Sequence, residues 1–282
     1  MNEISITKAL LAFVLLATAT LCVAIRWRVI ASAVARPIRY VEALTVVMIG
    51  GALDQMWFSM SGDAYRIWWL SKGASSLARA IAGVVLDRVA GVLGIVLLVL
   101  AFLPRLAGLD TSGGLVWVPT GIAATVLCGF GALVVLDQLP LGLSRNRWLQ
   151  GIGVLSSSAR RVFFSPVFAV PAVSVAVSIH VIVCACISVL AWSLGIGLGL
   201  IPALTVVPTV MLISLLPISI GGWGVREGAM VVALGLCGVD STDAVLISVM
   251  FGLCAAAIGI AGGLLWLLGL APAAIRPELK NT

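Results

Sequence analysis

Residues 59–66 read Ser-Met-Ser-Gly-Asp-Ala-Tyr-Arg, and residues 219–226 read Ser-Ile-Gly-Gly-Trp-Gly-Val-Arg, followed by Glu227. Both stretches fit the pattern Ser-x-(Ser/Gly)-Gly-x-x-x-Arg, and both interrupt apolar runs. An arginine at bilayer depth costs about 2.5–3.5 kcal/mol on insertion scales. Two such interruptions at matching spacing predict two broken helices built around charge, which is how many transporters form a binding site.

Composition assigns the chain to the helical membrane proteins. Of its 282 residues, 62% are hydrophobic and 10% are charged, against about 25% charged residues in soluble domains. Most of the chain lies in apolar stretches of the length that a spanning helix needs, about 20 residues. The net charge of +6 is usual where cytoplasmic loops carry Lys and Arg. The sequence contains no basic stretch interleaved with aromatic residues, so it does not indicate nucleic acid as a partner.

The sequence lacks the patterns typical of hydrolysis, metal binding and ATP use. Its single histidine, His180, lies in an apolar run, where packing is the first interpretation and a proton relay is the alternative. Neither a zinc-ligand spacing, nor GxSxG, nor a P-loop is present. We therefore predict a protein that is not an enzyme and that uses no cofactor and no metal.

Charges and helix-breaking residues predict an all-α fold with five full crossings. The apolar runs that we interpret as crossings are 8–25, 80–103, 116–136, 167–196 and 243–270. Stretches rich in arginine or lysine favour the cytoplasm. We assign to the cytoplasmic side residues 26–39, 62–79, 137–165 and 272–282, and to the outer side residues 104–115, 196–200 and 238–243.

The run 40–60 has cations on both flanks, which predicts a hairpin that enters and leaves on the cytoplasmic side. Residues 201–238 are its counterpart in the second half. We therefore predict one transmembrane domain of two inverted repeats, about 5–103 and 167–270, each containing a re-entrant or broken-helix hairpin. A linker span and an interfacial helix, about 116–165, separate the repeats. The interfacial part is either a basic linker or a contact with anionic lipid.

The residue types at the two motifs are suited to an anionic ligand. Arginine offers a fork of donors that matches a phosphate, and glycine lets backbone N–H groups approach a ligand. The predicted substrate-binding residues are Gly62, Asp63, Arg66, Asp87, Arg88, Ser219, Gly221, Gly222, Gly224, Arg226 and Glu227. The alternative interpretation is a set of internal ion pairs, with Asp87 beside Arg88 and Glu227 beside Arg226.

Glu227 carries a further hypothesis. Neighbouring side chains on a helix diverge by about 100°, so we expect Glu227 to face a cation other than Arg226. The candidates are Arg66 and Arg88 in the first repeat.

These residues resemble the lysylphosphatidylglycerol synthase transmembrane-region, or flippase-like, family over about residues 20–270. The resemblance is carried by Arg26-Trp27-Arg28, Gly62-Asp63-x-x-Arg66, Asp87-Arg88, and Pro217-x-Ser219-x-Gly221-Gly222-x-Gly224-Val225-Arg226-Glu227-Gly228. In the founding member, the multiple peptide resistance factor, this region moves an aminoacylated phospholipid between leaflets. The soluble domain that transfers the amino acid there has no counterpart in this sequence, so lysyl transfer is not implied.

The resemblance implies a protein of the bacterial inner membrane that moves an anionic phospholipid or a lipid-linked headgroup between leaflets. Its partner is then an anionic or polyprenyl-linked lipid. The alternative is a membrane subunit without transport activity, which anchors or presents lipid to a glycosyltransferase or a lipid-modifying enzyme. The resemblance does not specify the lipid.

Overall fold

The computed structural model describes residues 5–56, 60–72, 76–109, 114, 116–138, 147–214, 224–270 and 272. Within them the chain forms ten α-helices and one 3₁₀ turn, Leu136–Gln138, and no strand. The helices are α1 (Ile6–Val34), α2 (Tyr40–Met56), α3 (Ser61–Ser71), α4 (Leu77–Leu109), α5 (Trp117–Val135), α6 (Arg147–Phe164), α7 (Pro166–Ser193), α8 (Leu200–Ser214), α9 (Val225–Gly235) and α10 (Ser241–Leu267). The predicted all-α fold is confirmed.

Five of these helices are long and apolar enough to cross a membrane: α1, α4, α5, α7 and α10. The shortest has 19 residues, which at 1.5 Å per residue spans about 28 Å, close to the thickness of the hydrocarbon core. Each of them coincides with one of the five runs that the sequence predicts as crossings. The chain is therefore a polytopic helical membrane protein.

Two helices extend further than the sequence predicts. We expected the first crossing to end before Arg26, but α1 continues to Val34 and buries Arg26 inside the fold. An ion pair with Asp87 compensates this arginine, so its charge does not end the helix. We also expected Pro104 to end the second crossing, but α4 continues through it to Leu109. A proline removes one backbone donor, and here the helix tolerates that loss near its end.

The four short helices lie in two packed pairs at the two motifs. Helix α2 packs against α3, and α8 packs against α9. They have 17, 11, 15 and 11 residues, so each is shorter than the roughly 20 residues of a spanning helix. Re-entry of these pairs from opposite sides of the membrane stays a prediction.

The helix contacts of the first half have counterparts in the second half. Helix α1 packs against α7 over the largest interface, α2 packs against α10, and α8 packs against α4. The first helices of the two halves are antiparallel, because Ser5 N donates to Ser193 O at 3.1 Å and Cys186 Sγ to Ala12 O at 3.3 Å. Two units of inverted topology require such an arrangement. Their orientation relative to a membrane stays a prediction.

Helix α6 is amphipathic and lies within the range predicted to hold an interfacial helix. Its buried side, with Ser156, Ala159 and Val162, packs among α1, α4, α5 and α7. Arg161 and Phe164 are exposed. Contact between this helix and anionic lipid stays a prediction.

Cysteine labelling would test the topology. On a background without the native cysteines, we expect Lys72→Cys to react with a membrane-impermeant reagent from the cytoplasmic side only, since the arginine distribution places residues 62–79 there. Gly197→Cys serves as the matched outer-side control. Labelling of position 72 from the outer side alone would contradict the first hairpin and the inverted repeat with it.

Candidate functional site

The first four helices bring six charged side chains into one cluster, which we call the first charge cluster. Helix α1 supplies Arg26, α2 supplies Asp54, α3 supplies Asp63 and Arg66, and α4 supplies Asp87 and Arg88. Three guanidinium groups face three carboxylates. Buried charges need partners of opposite sign, because an ion that leaves water loses its hydration energy and an isolated one gains no attraction in return.

Asp87 is the most buried member of the first charge cluster, with 1% of its side chain exposed. Arg26 donates to it through Nε at 2.9 Å and Nη2 at 3.3 Å. Arg66 donates through Nη2 at 2.7 Å, and its guanidinium lies 4.0 Å from the centre of the Trp27 ring. One carboxylate thus holds two cations and joins three helices.

Asp63 and Asp54 form the outer part of the cluster. Asp63 accepts from Arg66 Nη1 at 3.3 Å and from Arg88 Nε at 2.8 Å. Asp54 lies 3.6 Å from Arg88 Nη2 and accepts from the backbone N–H of Gly62 at 2.8 Å. Arg88 differs from the buried arginines because 48% of its side chain is exposed.

Gly62 has a steric role at this site. A Cβ at position 62 would overlap the backbone of Gly50 and approach a carboxylate oxygen of Asp54 to 2.9 Å. The two glycines therefore let α2 and α3 approach closely. This contact brings Asp54 of α2 next to the residues of the first motif.

The second motif forms a smaller polar group, the second charge cluster, between α9 and α10. Arg226 donates to Glu227 Oε1 at 2.9 Å and to Ser248 Oγ at 3.2 Å. Ser248 donates in turn to Glu227 Oε1 at 3.1 Å, and Glu227 Oε2 accepts from the backbone N–H of Gly224. Gly224 starts α9 with a φ of +86°, a conformation that favours glycine.

Five predicted residues thus meet in the first charge cluster: Gly62, Asp63, Arg66, Asp87 and Arg88. Gly224, Arg226 and Glu227 meet in the second. Ser219, Gly221 and Gly222 lie outside the described residues. The described parts of α2 and α3 pack against α1, α4 and α10 and do not contact α8 or α9. The residues between α2 and α3, and between α8 and α9, are largely outside the description, so a meeting of the hairpins there stays a prediction.

Two expectations about pairing were wrong. Glu227 was expected to face Arg66 or Arg88, but it pairs with its neighbour Arg226. The side chains diverge at Cβ, yet the long arginine side chain curves back and Ser248 bridges the pair. The alternative to ligand binding paired Asp87 with Arg88, but Asp87 binds Arg26 and Arg66 instead. Arg88 faces Asp63 and Asp54.

Sequence reasoning missed Arg26, Asp54 and Ser248 as members of these clusters. Arg26 lies 61 positions from Asp87, and Ser248 lies 21 positions from Glu227, so no local spacing connects them. A weak signal existed for Asp54, because it is the sole charge between Glu42 and Asp63. A charge isolated in an apolar run needs a partner elsewhere in the fold.

Each cluster adjoins an apolar groove. The first groove, of about 490 Å³, lies between α3, α4 and α5, and is lined by Asp63, Ile67, Arg88, Val92, Val126 and Phe130 among others. The second groove, of about 380 Å³, lies between α4, α5, α8 and α9, and is lined by Leu106, Val118, Thr209, Gly224, Gly228 and Val232 among others. Helices α4 and α5 are common to both.

A bundle of five apolar helices with charge at two helix interruptions defines a multi-pass membrane protein. The family model described as "Lysylphosphatidylglycerol synthase TM region" matches residues 4–271. The chain belongs to this family, and it is a membrane protein tied to lipid metabolism. No curated protein matches the chain. No solved structure matches it either.

Proposed function

We propose that the protein moves an anionic phospholipid or a lipid-linked headgroup between the leaflets of the bacterial inner membrane, without catalysing a covalent reaction. The observation that carries the proposal is the half-exposed guanidinium of Arg88 on the wall of the first groove. A cation beside an apolar groove matches a molecule that has a negative headgroup and acyl chains. Family membership supports the same substrate class.

The three arginines of the first charge cluster divide between two roles in this proposal. Arg26 and Arg66 are buried and bound to Asp87, and Arg66 Nε is buried without a hydrogen-bond partner among the described residues. Arg88 is bound by two carboxylates but remains open to the groove on one side. We assign the phosphate contact to Arg88, while Asp63 and Asp54 hold this side chain in place before lipid arrives.

The carboxylates also make the phosphate contact reversible. A lipid phosphate that approaches Arg88 competes with Asp63 and Asp54 for the same guanidinium donors. Charge-assisted hydrogen bonds of both kinds are of similar strength, about 1.5–3 kcal/mol each. Arg88 can therefore exchange a carboxylate for the lipid phosphate and back again. The headgroup can then both bind and leave, as transport requires.

Leaflet exchange in liposomes would test the function and the role of Arg88 together. We expect the purified protein to accelerate exchange of fluorescent phosphatidylglycerol over protein-free liposomes, and Arg88→Ala to lower that rate about tenfold or more, as loss of one charge-assisted contact implies. Arg88→Lys should recover little, because lysine lacks the planar fork. The reporter is loss of fluorescence to an impermeant quencher outside the vesicle.

Arg79→Ala is the matched control, because Arg79 is an exposed arginine on the same helix but does not line the first groove. Equal loss of exchange in Arg79→Ala and Arg88→Ala would show a general charge effect and contradict the assignment. Binding of the lipid by wild-type protein with no exchange would instead favour the alternative, a subunit that presents lipid to a glycosyltransferase or a lipid-modifying enzyme.

A further inference from the structure

The first groove is a gap between two helices that do not touch. Helices α3 and α5 each pack against α4, but their described residues make no contact with each other. Helix α4 therefore forms the floor of the groove, and α3 and α5 form its two walls. Met60, which directly precedes α3, lines the groove and is 67% exposed, so the groove is open between the walls.

The opening lies beside a part of α5 that the bilayer surrounds. Helix α5 has 19 residues, so it needs nearly its whole length to cross a hydrocarbon core. The residues of α5 that line the groove run from Val126 to Leu133, which is within that length. A gap beside them faces acyl chains of the membrane.

The groove has a charged side and an apolar side. Helices α3 and α4 contribute Asp63 and Arg88, which are joined by a hydrogen bond of 2.8 Å. The α5 wall is apolar throughout, and its residues are Val126, Gly129, Phe130 and Leu133. An apolar wall with no neighbour loses its dispersion contacts. A hydrocarbon chain restores these contacts, whereas a polar headgroup finds no hydrogen-bond partner there.

Gly129 provides room in the α5 wall. Residues 126, 129, 130 and 133 follow the i, i+3, i+4, i+7 spacing of one helix face, so a side chain at position 129 would point into the groove. A Cβ there would meet no atom within 4 Å. The space in front of Gly129 is therefore free for a ligand.

Gly129 also lies close to the level of Arg88. Leu86 of α4 and Val134 of α5 belong to one core cluster, and Val92 and Val126 belong to another. Residue numbers thus rise along α4 as they fall along α5, which places Gly129 across the groove from Arg88. A molecule that contacts both walls at this level has an anionic group and a hydrocarbon chain.

We propose that an anionic phospholipid enters the first groove sideways from the bilayer, through the gap between α3 and α5, and that one acyl chain lies along α5 at Gly129 while the phosphate contacts Arg88. Gly129 is then a specificity-determining residue, because its missing side chain makes the room for the chain. The ligand is a chain-bearing lipid and not a soluble headgroup. This inference rests on the proposed function.

A series of side chains at position 129 tests the chain site. We expect Gly129→Ala, Gly129→Val and Gly129→Leu to lower leaflet exchange of fluorescent phosphatidylglycerol in order of side-chain size. The leucine variant should lose about tenfold or more, the scale on which an apolar pocket responds to a change of one methylene group. Because the series is graded, the alanine and valine variants carry the test if the leucine variant does not fold.

The same series at position 131 is the matched control. Gly131 is also an exposed glycine of α5, and a Cβ there would meet no atom within 4 Å. Its side chain would point about 200° away from that of position 129, and it does not line the groove. We expect wild-type exchange at every step of this series, with no fall in the unfolding temperature, because alanine and leucine are favoured over glycine in a helix.

Competition distinguishes a chain-bearing ligand from its headgroup. Lysophosphatidylglycerol, which keeps one chain, should slow exchange of the fluorescent lipid by wild-type protein, whereas soluble glycerophosphoglycerol should not. Equal inhibition by both compounds, or equal exchange in the two glycine series, would overturn the chain site and leave the proposed function intact. Absence of exchange in the wild-type protein would refute the proposed function itself.

Discussion

Asp87→Asn is expected to remove most of the folded protein. Asp87 is buried and accepts from both Arg26 and Arg66, so the neutral amide would leave two buried guanidinium groups facing one fewer negative charge. Removing one partner of a buried ion pair costs about 3–5 kcal/mol, which is a large share of the stability of a typical domain. The measurement is the thermal unfolding temperature in detergent, together with the yield of monodisperse protein.

A second-site change should restore part of that loss. Arg26 has Asp87 as its ion-pair partner, whereas Arg66 also contacts Asp63. In the double variant Asp87→Asn with Arg26→Met, Arg66 still pairs with Asp63. The cluster then contains two arginines and two aspartates, so its charges balance again. Asp243→Asn, in the first turn of α10, is the control for loss of a carboxylate elsewhere. A stable Asp87→Asn single variant would show that the cluster does not hold the helices together.

Gly262→Ala is expected to separate α10 from α2. A Cβ at position 262 would overlap the backbone carbonyl of Met48, and no rotation of a side chain can relieve a clash with backbone. Overpacking in a tight interface costs typically about 1–3 kcal/mol, and contact with a fixed carbonyl places this substitution at the upper end. A lower unfolding temperature would be the direct readout.

The adjacent glycine provides the comparison. A Cβ at position 263 meets only the Cβ of Ala52, at 3.8 Å, which is ordinary contact. Gly263→Ala should therefore leave stability unchanged or raise it, since alanine is favoured over glycine in a helix by roughly 1 kcal/mol. Equal behaviour of the two substitutions would mean that α2 and α10 do not approach each other at Gly262 as described.

Apolar length and charge were sufficient to predict the five long helices and the position of α8 and α9, whereas α3 (Ser61–Ser71) lies beyond the run 40–60 that was predicted to form the first hairpin. These features depend on local sequence, because a spanning helix satisfies its own backbone and needs only enough consecutive apolar residues. The limits of α1 and α4 were not predictable in this way. Arg26 lies within a helix because Asp87 compensates it from another helix, and hydropathy along the chain contains no such information.

Membership in the candidate site was predictable for the motif residues and not for their partners. Arg66 and Asp63 stand out because a glycine and a charge interrupt an apolar run. Arg26, Asp54 and Ser248 reach the clusters from other helices through tertiary packing. Glu227 shows a related limit, since the direction of a Cβ does not decide where a long arginine side chain ends. Its observed partner is Arg226, the neighbour named in the alternative interpretation.

The balance of charge in the first cluster has an electrical consequence. Three arginines and three aspartates contribute no net charge, so the cluster as a whole gives a lipid with one negative charge no net attraction, and its fixed groups do not move with that lipid. If the protein moves such a lipid, each event carries one elementary charge through the membrane field. That charge is worth about 2.3 kcal/mol per 100 mV. A potential that is negative inside the cell would then drive anionic lipid towards the outer leaflet with no other energy source.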